Sequence, residues 1–317
     1  MFTQREWINS PHLHTKAIFN LMNPSRYIKQ KIRNYTILNN PNIYRPTSLP
    51  YVSGDGFRRL ADHIFDETQS INPKKVRYQD IVFIRTDLIK IYFENYHQLI
   101  DNPYILLSHN SDDSVSQSDI KYIDKNIIHW FAMKLAAPTT DKISPLPSGL
   151  ENARFRINGK VKNFKTILKK RENEPISLDK IFCSFNPNTN FKERQPLLEI
   201  AEKHVDINVK NYEDRLEYLD DLSTYKFNLC PEGNNYESHR IWESLLFECT
   251  PIVIDNTVNR NFFNMGVPLI LIKNWDQIQS LKFKDFEKMN EINLGKDYQI
   301  YTHFDFWKSL INSKKQA

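Results

Sequence analysis

The stretch from Lys226 to Asn256 carries an arginine and several glutamates between two apolar runs. Within its predicted helix, Glu243 and Ser244 follow Arg240 by three and four residues, so the three side chains share one side. Arginine offers a planar fork to a diphosphate, and a glutamate one turn later can accept both hydroxyls of a ribose. The spacing therefore fits a nucleotide-sugar, although an exposed ion pair without function would leave the same pattern.

Glycine is scarce in this sequence, with 7 in 317 residues, so the positions that keep it are informative. Gly54 and Gly56 follow the first predicted strand, and Gly233 occupies a matching strand-to-helix turn in the second half. Turns of this kind let backbone N–H groups approach a phosphate with no Cβ in the way. Each could be an ordinary turn glycine, but together they favour a binding site at these turns.

Candidate bases follow two predicted strands of the first half. Asp55 lies in the turn after the first strand, and His109, Asp112 and Asp113 lie in SHNSDDS after a later one. A carboxylate or an imidazole at the end of a parallel strand could act as a general base that removes a proton from a substrate hydroxyl. Asp112 is our first choice, with Asp55 and His109 as the other catalytic candidates. Alternatively, Asp55 could cap a helix and SDDS could be a polar turn.

Short apolar runs alternate with amphipathic stretches, which is typical of strands joined by helices in α/β domains. The predicted strands form two series, divided near 150–178: 49–53, 80–84, 104–109 and 142–147, then 181–186, 205–209, 226–230, 251–255 and 268–272. The predicted helices cover 56–67, 86–100, 191–203, 212–223, 236–248, 275–289 and 297–313. Two consecutive parallel sheets place a ligand cleft between them, at the carboxyl ends of their strands.

The chain length suits two domains of ~150 residues each. We predict a first Rossmann-like domain over 1–160 and a second over 161–296. A C-terminal helix within 297–317 carries Phe304 and Trp307 at helical spacing and is expected to pack across the domain junction.

Composition narrows the class of protein. With 40% hydrophobic and 26% charged residues, the chain should be globular. No apolar run reaches the ~20 residues of a membrane span, and the first residues lack the apolar centre of a signal peptide, so we expect a cytoplasmic protein. The net charge of +5 permits peripheral contact with the inner face of the membrane, whereas nucleic acid is not an expected partner.

Metal and disulfide chemistry are not predicted. The three cysteines are widely spaced in apolar runs, and His12 and His14 form an isolated pair with no further ligand motif nearby. A glycine loop ending in Gly-Lys-Ser or Gly-Lys-Thr is also missing from the sequence, which argues against an NTPase.

The segment CPEGNNYESHRIWESLLFECTPIVIDN resembles the donor-binding motif of exostosin-like glycosyltransferases. That motif runs Cys-Pro-x-Gly, then Arg-x-Trp-Glu-x-Leu, a short gap and Pro-Ile-Val. The matching residues are Cys230, Pro231, Gly233, Arg240, Trp242, Glu243, Leu245, Pro251, Ile252 and Val253. The gap departs from the motif, because Glu248 and Cys249 stand where a glycine is common. SGDGF, SHNSDDS and PLPSGLEN resemble small bacterial and viral members loosely.

The resemblance implies an α/β protein of the GT-B fold, in which two Rossmann-like domains face each other across a cleft. It implies an acceptor-side domain over 1–160 and a nucleotide-sugar-binding domain over 161–296. By this analogy Arg240 binds the diphosphate and Glu243 the ribose, and neither a cofactor nor a metal is required. The remaining residues of the predicted donor site are Glu232, Gly233, Ser238, His239 and Ser244. The expected activity is transfer of a sugar, with UDP-sugars favoured and inversion preferred, to a glycan or lipid-linked acceptor.

Two other interpretations stay open. A fucosyltransferase-like GT-B enzyme that uses a GDP-sugar would place a similar glutamate and leucine-rich helix before a Pro-Val strand. A non-catalytic module that binds glycan or nucleic acid would keep the fold without a reaction. Arg240, Glu243 and a facing carboxylate together favour an enzyme, while binding of nucleic acid would weaken steeply with added salt.

Overall fold

The structure is a computed structural model that describes residues 45–155, 157–174 and 178–315. Residues 1–44 lie outside it, and with them His12 and His14. We call residues 45–160 the first half and residues 161–315 the second half. None of the helices in the described ranges has the length and apolar character needed to cross a bilayer.

The first half is built on a parallel sheet. Its strands, in the order in which they pair, are β1 His63–Phe65, β2 Ile81–Arg85, β3 Tyr104–His109, β5 Ile127–Met133 and β7 Ile143–Leu146. Two short strands, β4 Val115–Ser116 and β6 Leu135–Ala136, pair separately beyond the ends of β3 and β5. The helices of this half are α1 Gly54–Leu60 and α2 Ile89–Asn95. All six side chains of β3 are buried, as expected of a central parallel strand.

The second half contains a second parallel sheet. Its strands, again in pairing order, are β12 Ile270–Ile272, β11 Thr250–Ile254, β10 Tyr225–Leu229, β8 Leu178–Cys183 and β9 Ile207–Val209. Its helices are α3 Val161–Asn173, α4 Phe191–Ala201, α5 Arg215–Leu222, α6 His239–Leu246, α7 Thr257–Asn264, α8 Phe283–Met289 and α9 Phe304–Ser313. Short 3-10 helices also occur at Pro73–Lys75, Thr86–Leu88, His97–Leu99, Gln117–Tyr122, Pro187–Thr189, Trp275–Ser280, Asn290–Asn293 and Gln299–Thr302.

The architecture confirms the predicted α/β class with two Rossmann-like sheets, but several elements differ from the prediction. The strand predicted over 49–53 is absent: Tyr51 and Ser53 form only isolated bridges. The helix predicted over 56–67 ends at Leu60, because residues 63–65 pair with β2. A three-residue strand has too little local pattern to be separated from a neighbouring helix, so long-range pairing decides it.

Of the elements that were not predicted, the three longest are one strand and two helices. Strand β5 has nearly every side chain buried, so it shows no alternation of polar and apolar residues. Helix α3 lies in the basic stretch taken as a domain break, where Phe164 and Ile167 form its buried stripe. Helix α7 follows β11 directly and was assigned to no element.

The C-terminal helix contacts both halves. Phe304 of α9 packs against Phe57 of α1, with 5.6 Å between ring centroids. One turn later, Trp307 is fully buried and packs edge-on against Trp242 of α6 and Phe262 of α7. These residues belong to one core that continues from the first half into the second.

Candidate active site

The loop of residues 230–238, which we call the donor loop, joins β10 to α6. Helix α6 begins at His239, three residues after the predicted start at 236, with Ser238 as its extended N-cap residue. The free N–H groups of a helix N-terminus and the helix dipole favour an anion at this point. The parallel pairing of β8, β10 and β11 brings the loops that follow these strands to the same edge.

Two arginines lie at this edge. Arg240 of α6 is half-buried, and its Nε donates to the carbonyl of Ser184, 2.8 Å away. Arg194 of α4 is only 2% exposed, and it donates to the carbonyls of Glu232 at 2.7 Å and Asn186 at 2.9 Å. Within the described ranges, neither guanidinium forms an ion pair. We call Arg194 and Arg240 the arginine pair.

The arginine pair has the electrostatics of an anion site. Burial, and then the charge of Arg240, lower the pKa of Arg194 to about 9, so Arg194 still carries a positive charge at neutral pH. A buried charge without a counter-ion is costly, and a bound anion would offset that cost. The sequence analysis missed Arg194, because an arginine in an amphipathic helix normally lies at the surface.

Gly233 and Glu232 border the arginine pair. A Cβ added at Gly233 would lie 3.6 Å from Arg194 Nη2, which is ordinary contact, so this position leaves room beside the guanidinium. The Glu232 side chain accepts from Asn256 Nδ2 at 2.8 Å, and burial raises its pKa. Both predicted residues therefore lie beside Arg194.

Glu243 lies one turn after Arg240 and is almost fully buried. Its Oε1 accepts from Arg215 Nη2, and its Oε2 accepts from the hydroxyl of Tyr218 at 3.2 Å. Burial alone would raise the pKa of Glu243, but the charges of Arg215 and Arg240 lower it. An ionised carboxylate has about four acceptor sites, so Glu243 keeps capacity for a ligand hydroxyl.

Ser244 points into the core instead of toward a ligand. It is fully buried, donates to the carbonyl of Arg240 at 2.7 Å and accepts from Asn228 Nδ2 at 2.8 Å. These bonds join α6 to β10, so Ser244 supports the helix that carries Arg240.

Two side chains at the start of α6 bind the loop after β7. Glu237 accepts from the backbone N–H of Ser148 at 2.7 Å and from the indole of Trp242. His239 Nδ1 donates to the carbonyl of Gly149 at 2.6 Å, and its Nε2 lies 3.7 Å from Glu151 Oε2. His239, predicted as a donor-site residue, therefore lies at the contact between the halves. Glu237 was missed because its partner is 89 residues away in sequence.

Asp112 is the predicted catalytic residue that contacts the donor loop. Its side chain is 54% exposed, and its Oδ2 accepts from Asn234 Nδ2 at 3.0 Å. Its carbonyl accepts from Asn235 Nδ2 at 2.8 Å. A carboxylate of the first half thus lies against the loop that borders the arginine pair.

Asp55 and His109 are held inside the first half. The Asp55 carboxylate lies 2.7 Å from Arg45 Nη1 and 3.3 Å from Arg154 Nε. His109 is buried, donates from Nε2 to the carbonyl of Pro147 and accepts at Nδ1 from the N–H of Asn110. Burial lowers the pKa of His109 to about 4, which keeps the ring neutral.

The first-half glycines serve packing. A Cβ at Gly54 would lie 1.9 Å from Asn110 Oδ1 and 2.5 Å from His109 Nδ1, so only glycine lets α1 approach the end of β3 this closely. A Cβ at Gly56 would lie 3.0 Å from the Phe304 ring. The expectation that these glycines open space for a phosphate was therefore wrong, because protein atoms fill that space. In the described ranges, no group of three His, Cys, Asp or Glu side chains is arranged to hold a metal ion.

Comparison with known proteins places the similarity in the second half. The family model of the RXYLT1 C-terminal domain matches residues 191–313. Ribitol-5-phosphate xylosyltransferase 1 of Mus musculus is 32% identical over 105 residues, which cover 29% of this chain and 21% of the relative. The chain therefore matches about a fifth of that relative's length. Residues 191–313, which the family model matches, contain both members of the arginine pair.

Two solved structures share a distant overall likeness. The α,α-trehalose 6-phosphate synthase of Burkholderia multivorans aligns with a TM-score of 0.37 and 11% identity, over 76% of this chain and 72% of that chain. The UDP-forming α,α-trehalose-phosphate synthase of Burkholderia vietnamiensis aligns with a TM-score of 0.38 and 10% identity, over 75% of each chain. Scores this low add no argument about the site, and the strand pairing itself defines the two-sheet architecture.

Proposed function

We propose that this protein is a glycosyltransferase with an exostosin-like donor motif in a GT-B arrangement. It transfers a sugar from a nucleotide-sugar, with UDP as the favoured nucleotide, to a glycan or lipid-linked acceptor. The observation that carries the proposal is the arginine pair, with Arg240 at the start of α6 and Arg194 bound to the donor loop, inside the segment that matches the RXYLT1 C-terminal domain. Residues 161–296 form the donor side and the first half forms the acceptor side of the proposed enzyme.

In this proposal the arginine pair and the N-terminus of α6 bind the diphosphate of the donor. A diphosphate carries charge on both phosphates, which matches two neighbouring guanidinium groups and a helix N-terminus. Glu243, one turn away, accepts the ribose hydroxyls while Arg215 keeps it ionised. The cationic groups stabilise the leaving diphosphate, so the proposed reaction uses no metal and no cofactor.

Asp112 is the proposed general base. Its carboxylate is exposed on the side of the donor loop, whereas Asp55 is engaged by two arginines and His109 uses both ring nitrogens. The acceptor hydroxyl gives its proton to Asp112, and its oxygen forms a bond to the anomeric carbon. The bond from that carbon to the diphosphate breaks at the same time, and the electron pair leaves with the diphosphate. Attack from the opposite face inverts the anomeric centre.

The name of the mouse relative supplies the first substrates to test. A xylosyl donor with a ribitol-5-phosphate acceptor is the starting pair for turnover assays, followed by glycan and lipid-linked acceptors. The proposal also includes a location: the protein is cytoplasmic and meets its acceptor at the inner face of the membrane.

A nucleotide-binding panel tests the proposal. Thermal shift and calorimetry with UDP, GDP, CMP and their sugar conjugates, with and without EDTA, identify the donor class. At 100 times Kd, one bound nucleotide should raise the Tm by about 4 °C. Because each arginine contributes charge-assisted hydrogen bonds, Arg240→Ala and Arg194→Met should each weaken binding by roughly 10- to 100-fold.

Arg171→Ala is the matched control, because Arg171 is paired with Asp220 near the opposite edge of the second sheet. It should bind nucleotide like the wild type. Tight binding of GDP instead of UDP would move the proposal to the fucosyltransferase-like alternative. A folded protein that binds no nucleotide would refute the transferase and favour a non-catalytic module.

A further inference from the structure

Lys134 combines two unfavourable features in one residue. It follows β5 directly and has a φ of +52°, which is left-handed backbone that costs a residue with a Cβ about 1 kcal/mol. Its side chain is only 7% exposed, and this burial lowers the pKa of its ammonium group, although the nearby charge of Asp112 opposes that effect. Such a residue persists where its contacts offset the strain, and strain of this kind concentrates at functional sites.

In the part of the chain that the structure describes, the hydrogen bonds of the Lys134 ammonium group go to one loop. Its Nζ donates to the carbonyl of Ser111 at 3.2 Å and to the carbonyl of Asp112 at 3.4 Å, and it lies 3.8 Å from Asp112 Oδ1. The carbonyl of Lys134 accepts from the N–H of Val115 at 3.2 Å. Lys134 therefore binds the loop of residues 111–115 at both ends. The adjoining pair of β4 with β6 continues this attachment.

The 111–115 loop is also hydrogen-bonded to the donor loop. Asn234 and Asn235 each bind Asp112, one at the carboxylate and one at the carbonyl. Asp112 is thus bound by the ammonium group of Lys134 in the first half and by the side-chain amides of Asn234 and Asn235 in the second half. The ammonium group also lies within electrostatic reach of Glu237, whose carboxylate binds Ser148 across the same contact between the halves.

We propose that Lys134 is a positioning residue for sugar transfer, which holds the 111–115 loop so that the Asp112 carboxylate faces the acceptor hydroxyl at the donor loop. This inference rests on the proposed function and on Asp112 as the base. Lys134 acts through Asp112 and does not touch the donor, so its loss should affect the transfer step and spare donor binding. A lysine with a purely structural role would change stability and leave the rate of the folded enzyme intact.

The test compares kcat and donor KM for the wild type and four variants of the full chain. Lys134→Met keeps the length of the side chain and the backbone strain but removes the ammonium group. Because a displacement of about 1 Å at a reacting group can cost ~100-fold, we expect kcat to fall at least ~10-fold with donor KM within about twofold. Lys134→Arg keeps a cation with several donors and should recover part of the rate.

Lys142→Met is the matched control. Lys142 also donates from Nζ to a backbone carbonyl, that of Ile127 at 3.1 Å, but at the other end of β5. Its kcat should stay within about twofold of the wild type, because this bond lies far from Asp112 along the strand. Lys134→Asn covers the case in which Lys134→Met does not fold, since asparagine tolerates left-handed backbone and is too short to reach Asp112.

Hydrogen exchange gives a second readout. The amides of residues 110–115 should exchange faster in Lys134→Met than in the wild type, with no such change in Lys142→Met. Full activity in a folded Lys134→Met or Lys134→Asn would overturn the inference and leave the transferase proposal standing. A loss of kcat accompanied by an equal loss of donor binding would also overturn it. A wild type that binds donor and transfers no sugar would refute the proposed function itself.

Discussion

Three charged side chains occupy positions where charge is expensive. Arg194, Lys134 and Glu237 are each less than a tenth exposed, and each is held chiefly by backbone groups. Burying a charged group costs several kcal/mol, so positions that retain one are candidates for function. Glu237 belongs to the donor loop, Arg194 donates to its Glu232 carbonyl, and Lys134 binds Asp112, which contacts the loop. The buried charges therefore mark the same region that the donor motif indicates.

At the residue scale, the stability of the protein should depend on pH through Glu237. Burial raises the pKa of Glu237 above the ~4.3 of an unfolded chain, so the folded protein binds this proton more tightly. The stability due to protonation of Glu237 is fully present below the pKa of this group in the unfolded chain. It is lost as the pH rises through the pKa of Glu237 in the folded protein. Glu237→Gln keeps an oxygen for the Ser148 N–H and does not titrate. The Tm of the variant minus that of the wild type should therefore increase between pH 4 and pH 8.

The measurement is a series of thermal unfolding curves across this pH range. Glu213→Gln serves as the control, because Glu213 is exposed and its variant should track the wild type. A Tm difference for Glu237→Gln that stays constant with pH would show that Glu237 does not titrate in this window.

At the element scale, the position of α1 depends on the absence of one Cβ. Helix α1 starts at Gly54 and meets the end of β3, where His109 and Asn110 turn toward it. Asn110 has a φ of +61°, so its backbone is already committed to an uncommon conformation and cannot shift freely. This junction also carries Asp55, whose backbone N–H donates to Asn152 at 2.6 Å. The packing of α1 thus connects the first turn of the helix to the loops after β3 and β7.

Gly54→Ala should destabilise the protein although alanine is the better helix former. The propensity gain is about 1 kcal/mol, whereas a Cβ at 1.9 Å from Asn110 Oδ1 forces the helix or the loop to move. Overpacking of this kind typically costs 1–3 kcal/mol, so we expect a net loss of about 1 kcal/mol or more in the free energy of unfolding. Urea denaturation measures it.

Gly233→Ala provides the comparison, because a Cβ there meets nothing closer than 3.6 Å. Its free energy of unfolding should change by less than about 0.5 kcal/mol. Equal stability of Gly54→Ala and the wild type would mean that α1 can move away from β3 without cost.

At the scale of the whole molecule, one apolar core runs through both halves. The second side of each sheet has a core of its own, but the sides that face each other share residues from α1, α6, α7 and α9. Helix α9, at the end of the described chain, closes this shared core with Phe304 and Trp307. The two halves should therefore unfold together.

Trp307→Ala tests this cooperativity. Removing a fully buried tryptophan typically costs 3–5 kcal/mol, and we expect a loss of about this size in a single transition. Tryptophan fluorescence and far-UV circular dichroism followed in urea should give coincident curves, since Trp130 and Trp242 are buried in different halves. Phe306→Ala, which truncates a partly buried neighbour on the same helix, should cost less. Two separate transitions in the wild type would contradict a shared core.

The donor motif and the α/β class could be predicted because both depend on local patterns. The predicted bounds of β3 match the structure, since a run of six buried residues ends at a polar loop. The stretch from Cys230 to Val253 carried Arg240 and Glu243 at helical spacing, and the structure places both on α6. Local alternation, spacing and turn residues contain this information without reference to the rest of the chain.

The tertiary structure decided which charged side chains have a partner of opposite charge. Nothing in the sequence separates Arg194, which lacks a carboxylate partner in the described ranges, from Arg171, which is paired. Asp112 meets Asn234 across 122 residues of sequence, and the bond exists only because the carboxyl edges of two sheets approach each other. Local sequence determined the elements and the donor motif by itself. Only long-range packing decided which charges are buried without a partner, because burial and pairing depend on residues far apart in the chain.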